Sequence, residues 1–102
     1  MSLKKKYYTE NGICKVTFIL PGDIAESAKT ASLVGEFNNW DSSGLQMRKR
    51  NGKFTLSIEL KSNKQYQFRY LVNGNDWESD WQADGLAPIP FEYEEFNSVV
   101  RV

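Results

Sequence analysis

Apolar and polar side chains alternate strictly through the segment Phe54-Thr55-Leu56-Ser57-Ile58-Glu59-Leu60. This period of two is typical of a β-strand with one buried and one solvated face. The segment Tyr66-Gln67-Phe68-Arg69-Tyr70-Leu71-Val72 repeats the pattern, so its aromatic residues share one face and Arg69 points to the opposite face. We expect the two strands to pair antiparallel if residues 61–64 form a hairpin.

Turn signals separate these strands from others of weaker pattern. Asn51-Gly52 shortly precedes Phe54 and Asn73-Gly74 directly follows Val72, and such dipeptides favour tight hairpin turns. Residues 24–29 are expected to add about one helical turn. About seven strands at close spacing predict an all-β fold, an antiparallel β-sandwich. The further predicted strands include Cys14–Leu20, Ser32–Gly35, Leu45–Lys49 and Asn97–Val102.

The chain has the length of one domain. Its 102 residues, 40% of them apolar and 14% aromatic, suffice for a single packed core. Residues 1–8 include Lys4-Lys5-Lys6, and we expect an N-terminal tail there, followed by one domain over residues 9–102. Residues 74–96 show little periodicity but hold several aromatic side chains, which indicates a functional loop folded over the sandwich.

Charge and composition exclude several classes of protein. Thirteen basic residues balance thirteen acidic ones, so no global field would draw the chain onto nucleic acid or an anionic membrane. The absence of histidine excludes His-based catalytic triads and imidazole zinc sites, and we expect neither a metal nor a cofactor. The single Cys14 cannot form an internal disulfide, which fits a reducing, cytoplasmic compartment.

Acidic side chains are the remaining candidates for catalysis. Hydrolysis of a glycoside needs two carboxylates about 5 to 9.5 Å apart on either side of the bond. The acidic residues of this chain's last third lie among turn residues on one long segment, and a small sandwich offers no deep cleft. We therefore interpret them as a solvated loop and expect no enzymatic activity. They are Asp76, Glu78, Asp80, Asp84, Glu92, Glu94 and Glu95.

Two tryptophans beside turn residues are better candidates for a binding site. Trp40 follows a short strand and Trp77 follows the Asn73-Gly74 turn, so both are expected on loops, where binding residues collect. A flat indole stacks on the apolar face of a glucose ring with little loss of conformational entropy. These residues leave open the alternative that both rings pack within a loop or a protein interface. Polar side chains suited to orient a sugar by hydrogen bonding are Arg69, Asn38, Asn39 and Asn97.

The segment Leu33-Val34-Gly35-Glu36-Phe37-Asn38-Asn39-Trp40-Asp41 resembles the hallmark of carbohydrate-binding module family 48. This family includes glycogen-binding domains and the N-terminal modules of isoamylases. Three more features agree in order and spacing, which are the strand and turn Gln67–Gly74, Trp77, and the closing strand Asn97–Val102. The resemblance covers nearly the whole chain, and the segment from Trp81 to Phe91 resembles bacterial stand-alone members.

The resemblance implies an immunoglobulin-like β-sandwich that binds α-1,4-linked glucans such as glycogen, starch or maltodextrin. Carried over to this chain, it implies that Trp40 and Trp77 stack on sugar rings while Arg69 and Asn97 bond to hydroxyl groups. Tyr93 departs from the family pattern and would add a stacking surface or close the site. The alternative is an interaction or regulatory module that packs on a separate glucan-metabolising enzyme or, as a homodimer, on a second copy of itself.

Overall fold

Two antiparallel β-sheets pack face to face in the computed structural model, which describes residues 2–92 and 95–102. The strands are Leu3–Tyr8 (β1), Ile13–Ile19 (β2), Ala31–Gly35 (β3), Arg48–Arg50 (β4), Lys53–Lys61 (β5), Gln65–Val72 (β6), Asp76–Glu78 (β7), Gly85–Pro88 (β8) and Phe96–Arg101 (β9). The first sheet has the order β1-β2-β5-β4, and the second has the order β3-β6-β9-β8 with β7 paired to β6. The predicted all-β antiparallel sandwich is confirmed, and its described residues form nine strands where about seven were expected.

The core lies between the sheets and is built from alternate residues of the long strands. Phe18 of β2 packs on Phe68 of β6 with ring centres 5.1 Å apart, which joins the two sheets directly. Tyr70 follows Phe68 on the same face, at 5.6 Å between ring centres. Arg69 lies between them in sequence and therefore on the outer face of the second sheet, as the alternation predicts.

Both Asn-Gly dipeptides form the tight turns predicted for them. Asn51 and Gly52 connect β4 to β5 with φ angles of 50° and 79°. Asn73 and Gly74 connect β6 to β7 with φ angles of 54° and 77°. Asparagine and glycine tolerate this left-handed region better than other residues, which explains why the sequence identified these turns correctly.

The hairpin considered for residues 61–64 does not form. β5 pairs with β2 and β4 in the first sheet, whereas β6 pairs with β3, β7 and β9 in the second. The short link therefore crosses from one sheet to the other. The amide of Asn63 donates to the carbonyl of Val102 at 2.8 Å, so the crossing is held by the end of the chain. Both edges of β5 are already occupied, which leaves β6 no place beside it.

The N-terminal segment expected to be a tail is a strand, which corrects that prediction. Residues Leu3 to Tyr8 pair antiparallel with β2 along the whole of β1. Leu3 is buried, and Lys5 reaches across to Asp84 with its Nζ atom 2.6 Å from the carboxylate oxygen. An inward-pointing lysine is a common feature of edge strands because it opposes pairing with another chain. The three lysines thus mark an edge strand.

Helical structure is brief, as the sequence predicts. The described residues contain one helical turn at Gly22–Ala25 (α1), slightly before the predicted position, and one 3₁₀ turn at Glu36–Asn38. Pro21 precedes α1, where its missing N–H group is not needed. No helix within residues 2–92 and 95–102 is long and apolar enough to cross a membrane.

Candidate functional site

A shallow groove on the outer face of the second sheet brings together four of the residues that the sequence singled out. Arg69 is opposite Val34 of β3, and Trp77 is opposite Leu71 of β6, so both side chains lie on this outer face. The groove has a volume of about 290 Å³. The residues that line it are Trp40, Arg69, Trp77, Ile89 and Asn97.

Trp40 is presented by a tight loop that follows β3. Gly35 lies so close to β6 that a Cβ atom at this position would be 2.6 Å from a backbone oxygen of that strand. Phe37 anchors the loop, because its ring centre lies 5.8 Å from that of Phe18 in the core. Asn39 and Trp40 then adopt left-handed φ angles of 56° and 58°. The turn leaves the Trp40 indole 38% exposed at the groove.

Polar side chains hold this loop in shape. The Oδ1 atom of Asn38 accepts a hydrogen bond from the amide of Gly35 at 3.0 Å, and its Nδ2 atom donates to the carbonyl of Asp41 at 2.9 Å. The Asp41 carboxylate accepts from the hydroxyl and the amide of Ser43, and these bonds hold the pKa of Asp41 below its ordinary value. Asn38, considered from the sequence as a donor to a sugar, is instead used within the loop.

Trp77 and Arg69 form a pair in the groove. The Trp77 indole is 43% exposed, and the guanidinium carbon of Arg69 lies 5.6 Å from the centre of its ring. This is the range of a cation–π contact, which orients the indole against the guanidinium group. The Nε atom of Arg69 is buried and has no hydrogen-bond partner among residues 2–92 and 95–102. An unpaired buried N–H group of this kind is unfavourable for the folded state.

Gln67 is a residue of the site that the sequence analysis did not identify. Its Oε1 atom accepts a hydrogen bond from the Nδ2 atom of Asn97 at 2.9 Å. The bond uses one of the two N–H groups of the Asn97 amide, so the second N–H group and Oδ1 are left to bind a ligand. Gln67 precedes Arg69 by two residues, and the alternation of β6 alone could have placed both on the outer face.

Asn39 and Tyr93 are the other two candidate residues for the site. Asn39 is exposed beside Trp40, and its main part in the loop is the left-handed backbone, because it does not line the groove. Tyr93 lies outside the described residues. Ile89 lines the groove from the segment between β8 and β9, where no periodic pattern had marked it.

Two of the acidic residues weighed for catalysis have structural partners. Asp80 is fully buried, accepts a hydrogen bond from the Tyr70 hydroxyl at 3.3 Å and accepts another from the amide of Gln82 at 2.9 Å. Asp84 pairs with Lys5 and also accepts from the amide of Arg101 at 2.8 Å. Neither carboxylate lines the groove. The described part of the chain holds no group of three side chains suited to bind a metal ion.

The chemistry of the groove suits a neutral, polar ring with apolar faces. Two indoles offer flat apolar surfaces, while one guanidinium and one amide offer a donor and an acceptor beside them. Sugars combine axial C–H groups with hydroxyl groups and meet both requirements. A β-sandwich with such a groove on one sheet has the form of a carbohydrate-binding module.

Comparison with known families gives the same class. The sequence model of carbohydrate-binding module 48, the isoamylase N-terminal domain, matches residues 24–87. The match covers more than half of the chain, and the protein belongs to this family. It includes Trp40, Arg69 and Trp77, whereas Asn97 lies beyond it. No curated protein matches the sequence. Membership implies carbohydrate binding of the glucan type, in a family of non-catalytic modules.

Proposed function

We propose that the protein binds α-1,4-linked glucans, such as glycogen, starch and maltodextrin, and does not cleave them. The observation that carries the proposal is the convergence of Trp40 and Trp77 with Arg69 and Asn97 in one groove. Each indole stacks on a face of a glucose ring, and stacking of this kind needs little ordering because tryptophan has only two side-chain torsions. Arg69 donates to sugar hydroxyl groups, and Asn97 accepts from them.

The shape of the groove predicts how binding depends on ligand length. A volume of about 290 Å³ lies just below the range for ligand pockets, roughly 300–1,000 Å³. A short oligosaccharide therefore buries little surface and binds weakly. A polymer such as glycogen presents many equivalent chain segments, so apparent binding to it is stronger.

The placement of two carboxylates supports the part of the proposal that excludes cleavage of the glucan. Asp80 is engaged with Tyr70 inside the sandwich, and Asp84 is engaged with Lys5 at its edge. A glycosidase needs one carboxylate on each side of the scissile bond. Neither of these two residues lines the groove in which we place the sugar.

The proposal is tested by native gel retardation in glycogen with the wild type, Trp40→Ala and Trp77→Ala. Burying an aromatic side chain contributes about 1.5–3 kcal/mol, so each variant should bind at least roughly tenfold more weakly than the wild type. Both indoles are more than a third exposed, so the melting temperature should change little. Retardation of the wild type that is lost in both variants is the expected result.

Trp81→Ala is the matched control. Trp81 is 69% exposed and does not line the groove, so this variant should be retarded like the wild type. The proposal is wrong if the wild type is not retarded, or if all three variants migrate as it does. A large loss of melting temperature in Trp40→Ala would show that Trp40 is structural.

Three associated predictions extend beyond the sugar itself. They are that the protein has a separate glucan-metabolising enzyme as partner, that it forms a homodimer, and that it is located in the cytoplasm. A protein that is not retarded by glycogen yet binds such an enzyme would favour the interaction module, with Trp40 and Trp77 as its anchors.

A further inference from the structure

Two aromatic residues of the described chain have a left-handed backbone. Trp40 has a φ angle of 58° and Phe91 has one of 65°. The other residues apart from glycine in this region are all asparagine, which tolerates it best. A bulky aromatic side chain is strained in this conformation. At Trp40 the strained backbone presents the ring at the groove. Phe91 does not line the groove, so its strained backbone has no such explanation.

Phe91 occupies the third position of a type II turn. The amide of Glu92 donates to the carbonyl of Ile89 at 3.1 Å, and Pro90 fixes the second position of the turn. The third position requires a positive φ angle, and glycine or asparagine is preferred there. The backbone of Phe91 is thus strained by the turn that contains it.

The ring of Phe91 is also fully exposed. Its relative exposure is 106%, higher than that of Trp81 at 69% or Trp77 at 43%. A single exposed apolar residue needs no explanation. Here, however, exposure and strain coincide at one residue, and neither gives the isolated domain any stability. Observed strain of this kind is a reason to look for a function.

The position of Phe91 relates it to the groove. Ile89 lines the groove, and two residues of chain span at most about 7 Å between Cα atoms. The amide of Ile89 donates to the carbonyl of Glu95 at 3.0 Å, and Ala87 is opposite Asn97 in the β8–β9 pair. The turn that carries Phe91 is therefore fixed to the same hairpin that supplies Ile89 and Asn97 to the groove.

We propose that Phe91 is a third ring-stacking contact, which extends the groove by a further sugar unit of a longer α-glucan. This inference rests on the proposed function, because it names an additional contact for the same ligand. The left-handed backbone of Phe91 carries a ring that is fully exposed, next in the chain to the segment that supplies Ile89 to the groove. A ligand long enough to pass Ile89 then covers a ring that is otherwise in water.

The test compares Phe91→Asn and Phe91→Trp with the wild type, using maltotriose and maltoheptaose as ligands and titration calorimetry as the readout. Asparagine is the residue that the chain uses at its other left-handed positions, so Phe91→Asn removes the ring without adding strain. Its affinity for maltoheptaose should fall roughly threefold to tenfold, since one aromatic contact is lost. Its affinity for maltotriose should be unchanged, and its melting temperature should be equal or higher.

Phe91→Trp keeps a stacking surface and should bind maltoheptaose as well as the wild type does. The inference is overturned if Phe91→Asn binds maltoheptaose normally, if it loses both ligands equally, or if its melting temperature falls. If the wild type binds neither ligand, the proposed function fails and the inference falls with it. Normal wild-type binding with an unaffected Phe91→Asn variant would overturn the inference alone.

Discussion

At the residue scale, the hydroxyl group of Tyr70 contributes to stability through a hydrogen bond in the core. It donates to the buried carboxylate of Asp80 at 3.3 Å, while the amide of Asp80 donates to the hydroxyl of Ser98 at 2.6 Å. Burial raises the pKa of Tyr70 well above its ordinary value, and the negative charge of Asp80 raises it further. The neutral phenol is therefore strongly favoured in the folded state.

Tyr70→Phe should destabilise the domain by about 1–3 kcal/mol, because the buried Asp80 carboxylate loses a donor. The contribution of Tyr70 is fully present below its ordinary pKa of about 10 and is lost as the pH rises from there through the raised pKa. Urea unfolding at neutral and alkaline pH measures both effects. The wild type should lose stability more steeply in alkali than Tyr70→Phe, and parallel losses would contradict this explanation.

At the residue scale, the sequence predicted the exposure of those side chains whose position depends on their immediate neighbours in the chain. Trp40 and Trp77 stand beside turn residues, and their partial exposure follows from that position. Gln67 and Ile89 were missed for different reasons. Gln67 acts on the site only through Asn97, which lies 30 residues further along the chain, and Ile89 lies in a segment without a periodic pattern. A single-residue property such as hydrophobicity carries no information about such neighbours.

At the scale of elements, β1 is the strand that departs most from the sequence prediction, because its lysine-rich composition is that of a solvated segment. Its backbone nevertheless pairs with β2 from Leu3 to Tyr8, and Leu3 lies opposite Phe18. Without β1, strand β2 would present an unpaired edge to solvent, which favours association with other chains.

Deletion of residues 1–8 should lower the free energy of unfolding by at least about 2 kcal/mol, since the burial of Leu3 alone contributes about 1.5–3 kcal/mol. Thermal unfolding followed by circular dichroism measures the change. Lys4→Ala is the control, because Lys4 is exposed and should leave the melting temperature unchanged. A truncated protein that melts with the wild type would show that β1 contributes nothing to stability.

At the scale of the whole molecule, contact between the two sheets holds the groove in place. Phe18 is fully buried and packs on both Phe68 and Phe37. Phe37 belongs to the loop that presents Trp40, so the core and the site share one cluster of rings.

Phe18→Ala should lower the free energy of unfolding by about 3–5 kcal/mol, as a large deletion from a packed core. Urea unfolding followed by both tryptophan fluorescence and circular dichroism measures this loss. The two signals should change together if the sandwich unfolds as one unit. A fluorescence transition at a lower urea concentration than the circular dichroism transition would show that the groove unfolds separately from the rest of the sandwich.

The sequence by itself determined the features that are local in the chain. Alternation predicted the faces of β5 and β6, the Asn-Gly dipeptides predicted two turns, and the resemblance predicted the family that the comparison later showed. Only the tertiary structure decided that β5 and β6 belong to different sheets, that residues 3–8 form a strand, and that Gln67 supports Asn97. The physical reason is that periodicity and turn preference are set by neighbouring residues, whereas strand partners are set by which edges and faces remain open once the sheets have formed.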